Sequence, residues 1–201
     1  NEPQNKKSLQ ETIALRLRDD LPLSIEAFRL SNAQGHPILQ EGEFSNAQIL
    51  WENTRDRIDM QLAWADGRPV IRNRVRLVLY DDLVAYLDIE SHSEGLSQLF
   101  EDGSDLDKTG AMLVCALRAE ENRCFPSRFF KEMRNLSANS GAGEWMLEAL
   151  AGEKGMARTQ DDRAVPIVIA YSPVGRPGMA IGVTGQGLGM AIQVDESEFY
   201  Q

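Results

Sequence analysis

Histidine is almost missing from this sequence: His36 and His92 are the only two in 201 residues. His36 falls in a polar turn and His92 at an expected helix start, where solvated imidazoles are ordinary. With no Gly-x-Ser-x-Gly elbow either, a hydrolase triad lacks both its base and its nucleophile. Positive charge is short as well. Lys and Arg number 21 against 31 Asp and Glu, a net charge of −10. That excludes a polyanion-binding surface for DNA, RNA or acidic lipid headgroups. Long apolar runs are also lacking. Val165-Pro166-Ile167-Val168-Ile169-Ala170 falls far short of the roughly 20 residues of a membrane span, and the polar opening at Asn1 is no signal peptide. The start without Met and the stop at Phe199-Tyr200-Gln201 read as a fragment cut at both ends.

Metal and cofactor signals fail on spacing. Asp81, Asp82, Asp102, Asp105 and Asp107 sit at turns, but they do not make the fixed ladder of a calcium loop with its closing Glu. Gly185-Gln186-Gly187-Leu188-Gly189 is not followed by a helix, so a dinucleotide loop is not expected. The sequence implies no metal and no cofactor.

What is present suffices for a core: 42% of residues are apolar. Leu9, Ile13, Leu15 and Leu17 among charged residues predict an amphipathic helix over Ser8 to Asp19, ended by Pro22. Ser24 to Leu30 alternates as a strand, Asn32-Ala33-Gln34-Gly35 turns, and His36 to Leu39 is a second strand. Ser45 is placed to cap a short helix through Trp51. Then Ile58, Met60, Leu62 and Trp64 alternate up to a hairpin turn at Asp66-Gly67. That turn sets a register: Leu62 opposite Ile71, Ile58 opposite Val75, Asp59 opposite Arg74. A turn at Tyr80-Asp81-Asp82 leads to a third strand through Ile89, and a helix follows from about Ser93 to Phe100. The order then recurs. Strands are expected at Met112 to Leu117 and Arg123 to Phe125, helices at Ser127 to Leu136 and Gly143 to Leu150, and strands at Ala164 to Ser172 and Gly187 to Val194.

The second half resembles the membrane-proximal lobe of periplasmic Cache (PAS-like) sensor domains. The resemblance lies in Ala149-Leu150-Ala151-Gly152-Glu153-Lys154-Gly155, in Asp161 to Val174, in Gly187 to Asp195, in Asp107-Lys108-Thr109-Gly110 and in Cys124-Phe125-Pro126-Ser127-Arg128-Phe129. One departure is the extra segment around Gly178-Met179-Ala180-Ile181, a near copy of Gly189-Met190-Ala191-Ile192. The Arg-x-Trp-Tyr signature of the amino-acid-binding branch is not seen. The resemblance implies an α/β (α+β) fold of tandem PAS-like lobes with a shared N-terminal helix: residues 1–20 the helix, 21–101 the membrane-distal lobe, 102–201 the membrane-proximal lobe. It also implies a non-enzymatic, extracytoplasmic ligand-sensing region of an inner-membrane signalling receptor. The expected output is cyclic-di-GMP synthesis or degradation, and the full-length receptor is expected to be a homodimer. Its partner would be a small anionic molecule or a periplasmic protein. The membrane would be met only through flanking helices, with no nucleic-acid partner. The alternative is a cytoplasmic PAS-like protein-binding or immunity module.

Arg72, Arg74 and Arg76 share one strand face, and Tyr86, Asp88 and Glu90 the matching face of the next strand. A solvated charge ladder is one reading of this row. The other is a pocket in which Arg72 or Arg74 holds a ligand carboxylate by its bidentate fork, with Asp88 alongside and Trp64 and Tyr86 as walls. Cys115 and Cys124 fit either one disulfide in an oxidising compartment or two buried cytosolic thiols. A tight turn near Ala119-Glu120 makes them cross-strand partners at disulfide range, which favours the disulfide.

Overall fold

The computed structural model describes residues 24–101, 109–118, 121–128, 130–137, 141–161, 163–174 and 187–199. The expected helix at 8–19, the acidic loop 102–107 and the segment 175–186 lie outside the described residues. Two compact units are formed, one by residues up to 48 with 54–94, the other by 49–53 with residues from 95 onward.

The first sheet has six antiparallel strands: β1 (Ser24–Asn32), β2 (Pro37–Glu41), β3 (Gln48–Arg55), β4 (Ile58–Ala65), β5 (Arg68–Leu79) and β6 (Asp82–His92), in the order β2-β1-β6-β5-β4-β3. The expected hairpin register is observed, with Ile58 opposite Val75, Asp59 opposite Arg74 and Leu62 opposite Ile71. Asp66 and Gly67 both take the left-handed conformation, at φ 51° and 82°, which matches a two-residue turn to the twist of its strands. Phe28, Leu39 and Ile89, with Ile25, Leu30 and Leu87 packed against them, form the apolar side. Helix α1 (Glu94–Glu101) follows β6.

One expectation fails here. Residues 45–51 are not a helix: β3 begins at Gln48 and Ser45 caps nothing. Ile49, Trp51 and Thr54 favour a pleated backbone, and Leu50 is buried within the strand while Gln48 and Glu52 stay exposed. Topology forbids a helix as well. β2 and β3 lie at opposite edges, so residues 42–47 form a strap across the sheet. With about 4.8 Å between neighbouring strands, so few residues cross only if nearly extended.

The second sheet holds β7 (Ala111–Arg118), β8 (Glu121–Cys124), β9 (Arg134–Leu136), β10 (Gly155–Gln160), β11 (Pro166–Pro173) and β12 (Leu188–Asp195), in the order β10-β11-β12-β7-β8-β9. Helix α2 (Gly141–Leu150) packs on it, burying Ala142, Met146 and Ala149 at helical spacing against Leu113, Cys115, Ile167, Ile169 and Ala191. Trp145 stacks on Tyr171 at 5.4 Å. The short helix α3 (Glu196–Phe199) closes the chain's described part. The expected helix at 127–136 is not formed. Ser127 and Phe130 bridge each other, and Arg134–Leu136 pairs with β8 as an edge strand. Asn135 is a weak helix former, and pairing satisfies the open edge of β8. Strand β10 went unpredicted because, with Met156 exposed and only Ala157 and Thr159 half-buried, it carries little apolar signal.

The two sheets share a five-strand order. In each, the first strand lies between the second and the last, and the last leads outward through a meander. The first sheet adds β3 beyond the meander, and the second adds β9 beyond its hairpin. The segment joining hairpin to meander differs accordingly: strap plus strand in one unit, edge strand plus α2 in the other.

Candidate functional site

The arginine row lies where the sequence puts it. Arg72, Arg74 and Arg76 stand opposite Glu90, Asp88 and Tyr86. Arg74 Nε donates to Asp88 Oδ1 at 2.6 Å, and Arg29 Nη2 donates to Asp88 Oδ2 at 3.0 Å. Two guanidiniums therefore share one carboxylate. Arg76 reaches Asp59 at 2.6 Å. The guanidinium of Arg74 also lies 5.4 Å from the Tyr86 ring centre, and that of Arg29 5.2 Å from the Phe44 ring in the strap.

Arg72 has a different task. Its Nε donates to Glu90 Oε2 at 2.5 Å, while Nη2 donates to the backbone oxygen of Ser45. The Ser45 N–H donates to Glu90 Oε1 at 2.9 Å. Glu90 is 1% exposed, so this buried carboxylate is held from both sides and pins the strap. Gly42 lets the strap leave β2: a Cβ there would meet the Glu26 backbone oxygen at 2.1 Å. Burial pushes the Glu90 and Asp88 carboxyls up, but other contacts outweigh it and both lie below their ordinary values. For Glu90 these are the Ser45 N–H and Arg72; for Asp88, Arg74 and Arg29.

Trp64 does not join this group. It is paired with Pro69 and so shares the face of Leu62 and Ile71, opposite to that of Arg72 and Arg74. Arg72, Arg74, Tyr86 and Asp88 are brought together; the expected tryptophan wall is not. The sequence reading also missed Arg29, Phe44 and Ser45 on this face. The alternation of β1 could have supplied Arg29, whereas the strap had no signal. His92 ends β6 with Nδ1 3.1 Å from Glu26 Oε1, which is not the free loop position expected of it.

In the second unit, Cys115 and Cys124 are cross-strand partners joined by a disulfide, buried in the core cluster. Thr109 ties α3 to the sheet: its N–H and hydroxyl donate to Glu198 Oε2 at 3.0 and 2.6 Å, and its oxygen accepts the Asp195 N–H at 3.0 Å. A pocket of about 90 Å³ opens beside the start of α2. The sequence reading placed nothing there. Among the described residues no cluster of His, Cys, Asp and Glu could hold a metal ion, and no helix is long and apolar enough to cross a membrane.

No protein-family model and no curated protein matches the sequence. Solved structures do share its fold. A domain of a sensory box/GGDEF family protein from Vibrio parahaemolyticus superposes with a TM-score of 0.53 at 12% identity, over 99% of this chain and 82% of the other. The extracellular domain of rpHK1S-Z16, described as a histidine kinase, gives 0.50 at 12% identity, over 99% and 88%. The periplasmic sensory domain of the Campylobacter jejuni chemoreceptor Tlp1 gives 0.50 at 8% identity, over 75% and 53%. At such identities the likeness is one of fold. The chain has the α+β, two-sheet fold of Cache-type (PAS-like) sensor domains.

Proposed function

We propose that the chain is a non-catalytic, ligand-sensing region of a transmembrane signalling receptor, held outside the cytoplasm. The observation that carries this reading is the two-sheet fold, which superposes on extracellular and periplasmic sensory domains. The buried disulfide supports an oxidising compartment and counts against a cytoplasmic partner-binding module. Likeness to a sensory box/GGDEF protein domain over 99% of this chain supports a cyclic-di-GMP output.

In this reading an anionic ligand docks at Arg74 and Arg29, whose two charges are met by the single carboxylate of Asp88, with Tyr86 beside them. Arg72 holds the strap rather than the ligand. Signalling follows if the ligand binds two arrangements of the receptor unequally, since only that difference shifts their populations. Thermal denaturation with a panel of small carboxylates and phosphates tests the site. A saturable rise in Tm lost in Arg74→Ala and kept in Arg76→Ala is expected. A rise unchanged in both Arg74→Ala and Arg29→Ala would remove the ligand from this face.

A further inference from the structure

The start of α3 is capped by a residue from elsewhere in the chain. Asp195 ends β12 and stands at the N-cap of α3, with Glu198 three residues on. Asp-x-x-Glu in these places is a capping-box pattern, in which the Glu carboxylate turns back to accept the N–H of the cap residue. Here that N–H goes instead to Thr109 Oγ1, at 3.0 Å and 86 residues away in sequence. Continuing the β7–β12 register from Ala111 opposite Gln193 brings Thr109 opposite Asp195, where its hydroxyl stands in for the next rung of the ladder.

Thr109 uses its hydroxyl in both directions. It accepts from Asp195 while donating to Glu198 Oε2 at 2.6 Å, and the Thr109 N–H adds a second bond to the same oxygen at 3.0 Å. Thr109 is therefore inserted between the two members of the box. Asp195 Oδ1, buried, accepts no hydrogen bond, and Arg163 Nη2 stands 3.8 Å from it. Arg158 reaches Glu196 at 3.6 Å. Both pairs are long and both arginines are half exposed or more, so they hold α3 weakly beside the three short bonds made through one threonine.

We propose that Thr109 is a release point between the sheet and α3. With Thr109 inserted, the helix start is tied to β7. With Thr109 withdrawn, the Glu198 carboxylate takes the Asp195 N–H itself and the box closes within α3. The cap N–H is satisfied either way, so release changes the attachment of the helix without leaving that donor unpaired. Thr109 is only half-buried, and water replaces the bonds it gives up. Two discrete arrangements of one helix start, close in free energy, are what a switch requires. The tied form is the resting one, because it holds two charge-assisted bonds to the carboxylate against one in the closed box. That a receptor reads this release rests on the function proposed above; the two capping arrangements do not.

Amide hydrogen exchange of the purified chain, resolved residue by residue by NMR, tests the two arrangements, with the Ile169 amide in β11 as the reference for an intact sheet. The Asp195 amide is expected to keep its protection in Thr109→Val, where Glu198 takes it over, and in Glu198→Ala, where Thr109 still holds it. The double variant should lose about tenfold in protection, the worth of one hydrogen bond, and Thr109→Ser combined with Glu198→Ala should keep it. A loss in Thr109→Val equal to that of the double variant, or full protection in the double variant, would overturn the proposal. The signalling role has its own readout. In a receptor whose outer domain is replaced by this chain, Thr109→Val is expected to shift the output without ligand, and Thr109→Ser to leave it unchanged. The redundant exchange pattern with no shift in output would overturn the role as a switch. A receptor that ignores ligand but answers to Thr109→Val would count against the ligand site and leave the release point standing.

Discussion

At the scale of single residues, the Arg72–Glu90 and Arg74–Asp88 ion pairs of the first sheet differ in kind. Glu90 is sealed, and Arg72 is 23% exposed, whereas Arg74 is 50% exposed. Removing Arg72 strands a buried carboxylate. Arg72→Ala should therefore cost about 3 kcal/mol in chemical denaturation, and Arg74→Ala under about 1 kcal/mol. Equal losses would mean that Glu90 is not sealed from water. Acid gives a second check. The Asp88 and Glu90 carboxyls are held below their ordinary values of 3.8 and 4.5 in the folded state. A depressed folded value contributes stability above the unfolded value and loses it as pH falls through the folded one. Tm should thus hold down to about pH 5 and fall below about pH 4, more shallowly in Asp88→Asn. The facing of Arg74 and Asp59 was legible in the sequence because the Asp66-Gly67 turn fixes register. The same register contains the error over Trp64. Across a two-residue turn, even-numbered residues of β4 share a face with odd-numbered residues of β5, so Trp64 cannot accompany Arg72.

Among elements, alternation and turn chemistry made the β4-β5-β6 meander readable, down to individual partners. The segments between hairpin and meander were not readable, since their shape depends on which sheet edge stands open. Gln48–Arg55 satisfies both a capped helix and a strand locally, and only the edge of β4 decides. Arg134–Leu136 joins β8 for the same reason. One turn remains unoptimised. Tyr80 and Asp81 both adopt left-handed backbone, at φ 50° and 68°, with Tyr80 fully in solvent. The double change Tyr80→Asn with Asp81→Gly should raise stability by about 1 kcal/mol, read as a shift in the urea midpoint with unchanged slope. A loss would mean that Tyr80 makes a contact worth more than the backbone strain. Neither predicted site residues nor core positions are touched by this change.

Across the whole molecule, the duplicated strand order was legible as order alone, because the two halves share topology without sharing residues. The pocket beside α2 was not legible, since it is assembled from β7, β9, α2, β12 and two loops that only folding brings together. The disulfide was, because a tight turn makes its partners neighbours. It closes a loop with a sequence separation of 9, so Cys115→Ser with Cys124→Ser should cost about 2–3 kcal/mol at equilibrium. Two free thiols in the denatured, unreduced protein after export to an oxidising compartment would contradict the bond itself. The central claim is that this chain senses a ligand on behalf of a receptor. It is tested most directly by grafting the chain, between the membrane helices of a receptor with a measurable kinase or cyclase output, in place of that receptor's own outer domain. Output is predicted to change saturably with the ligand that raises the Tm of the isolated chain, at matching concentrations, and to lose that response with the binding-site substitution that abolishes the Tm rise. A ligand that binds the grafted chain at those concentrations and leaves output unchanged would contradict the account.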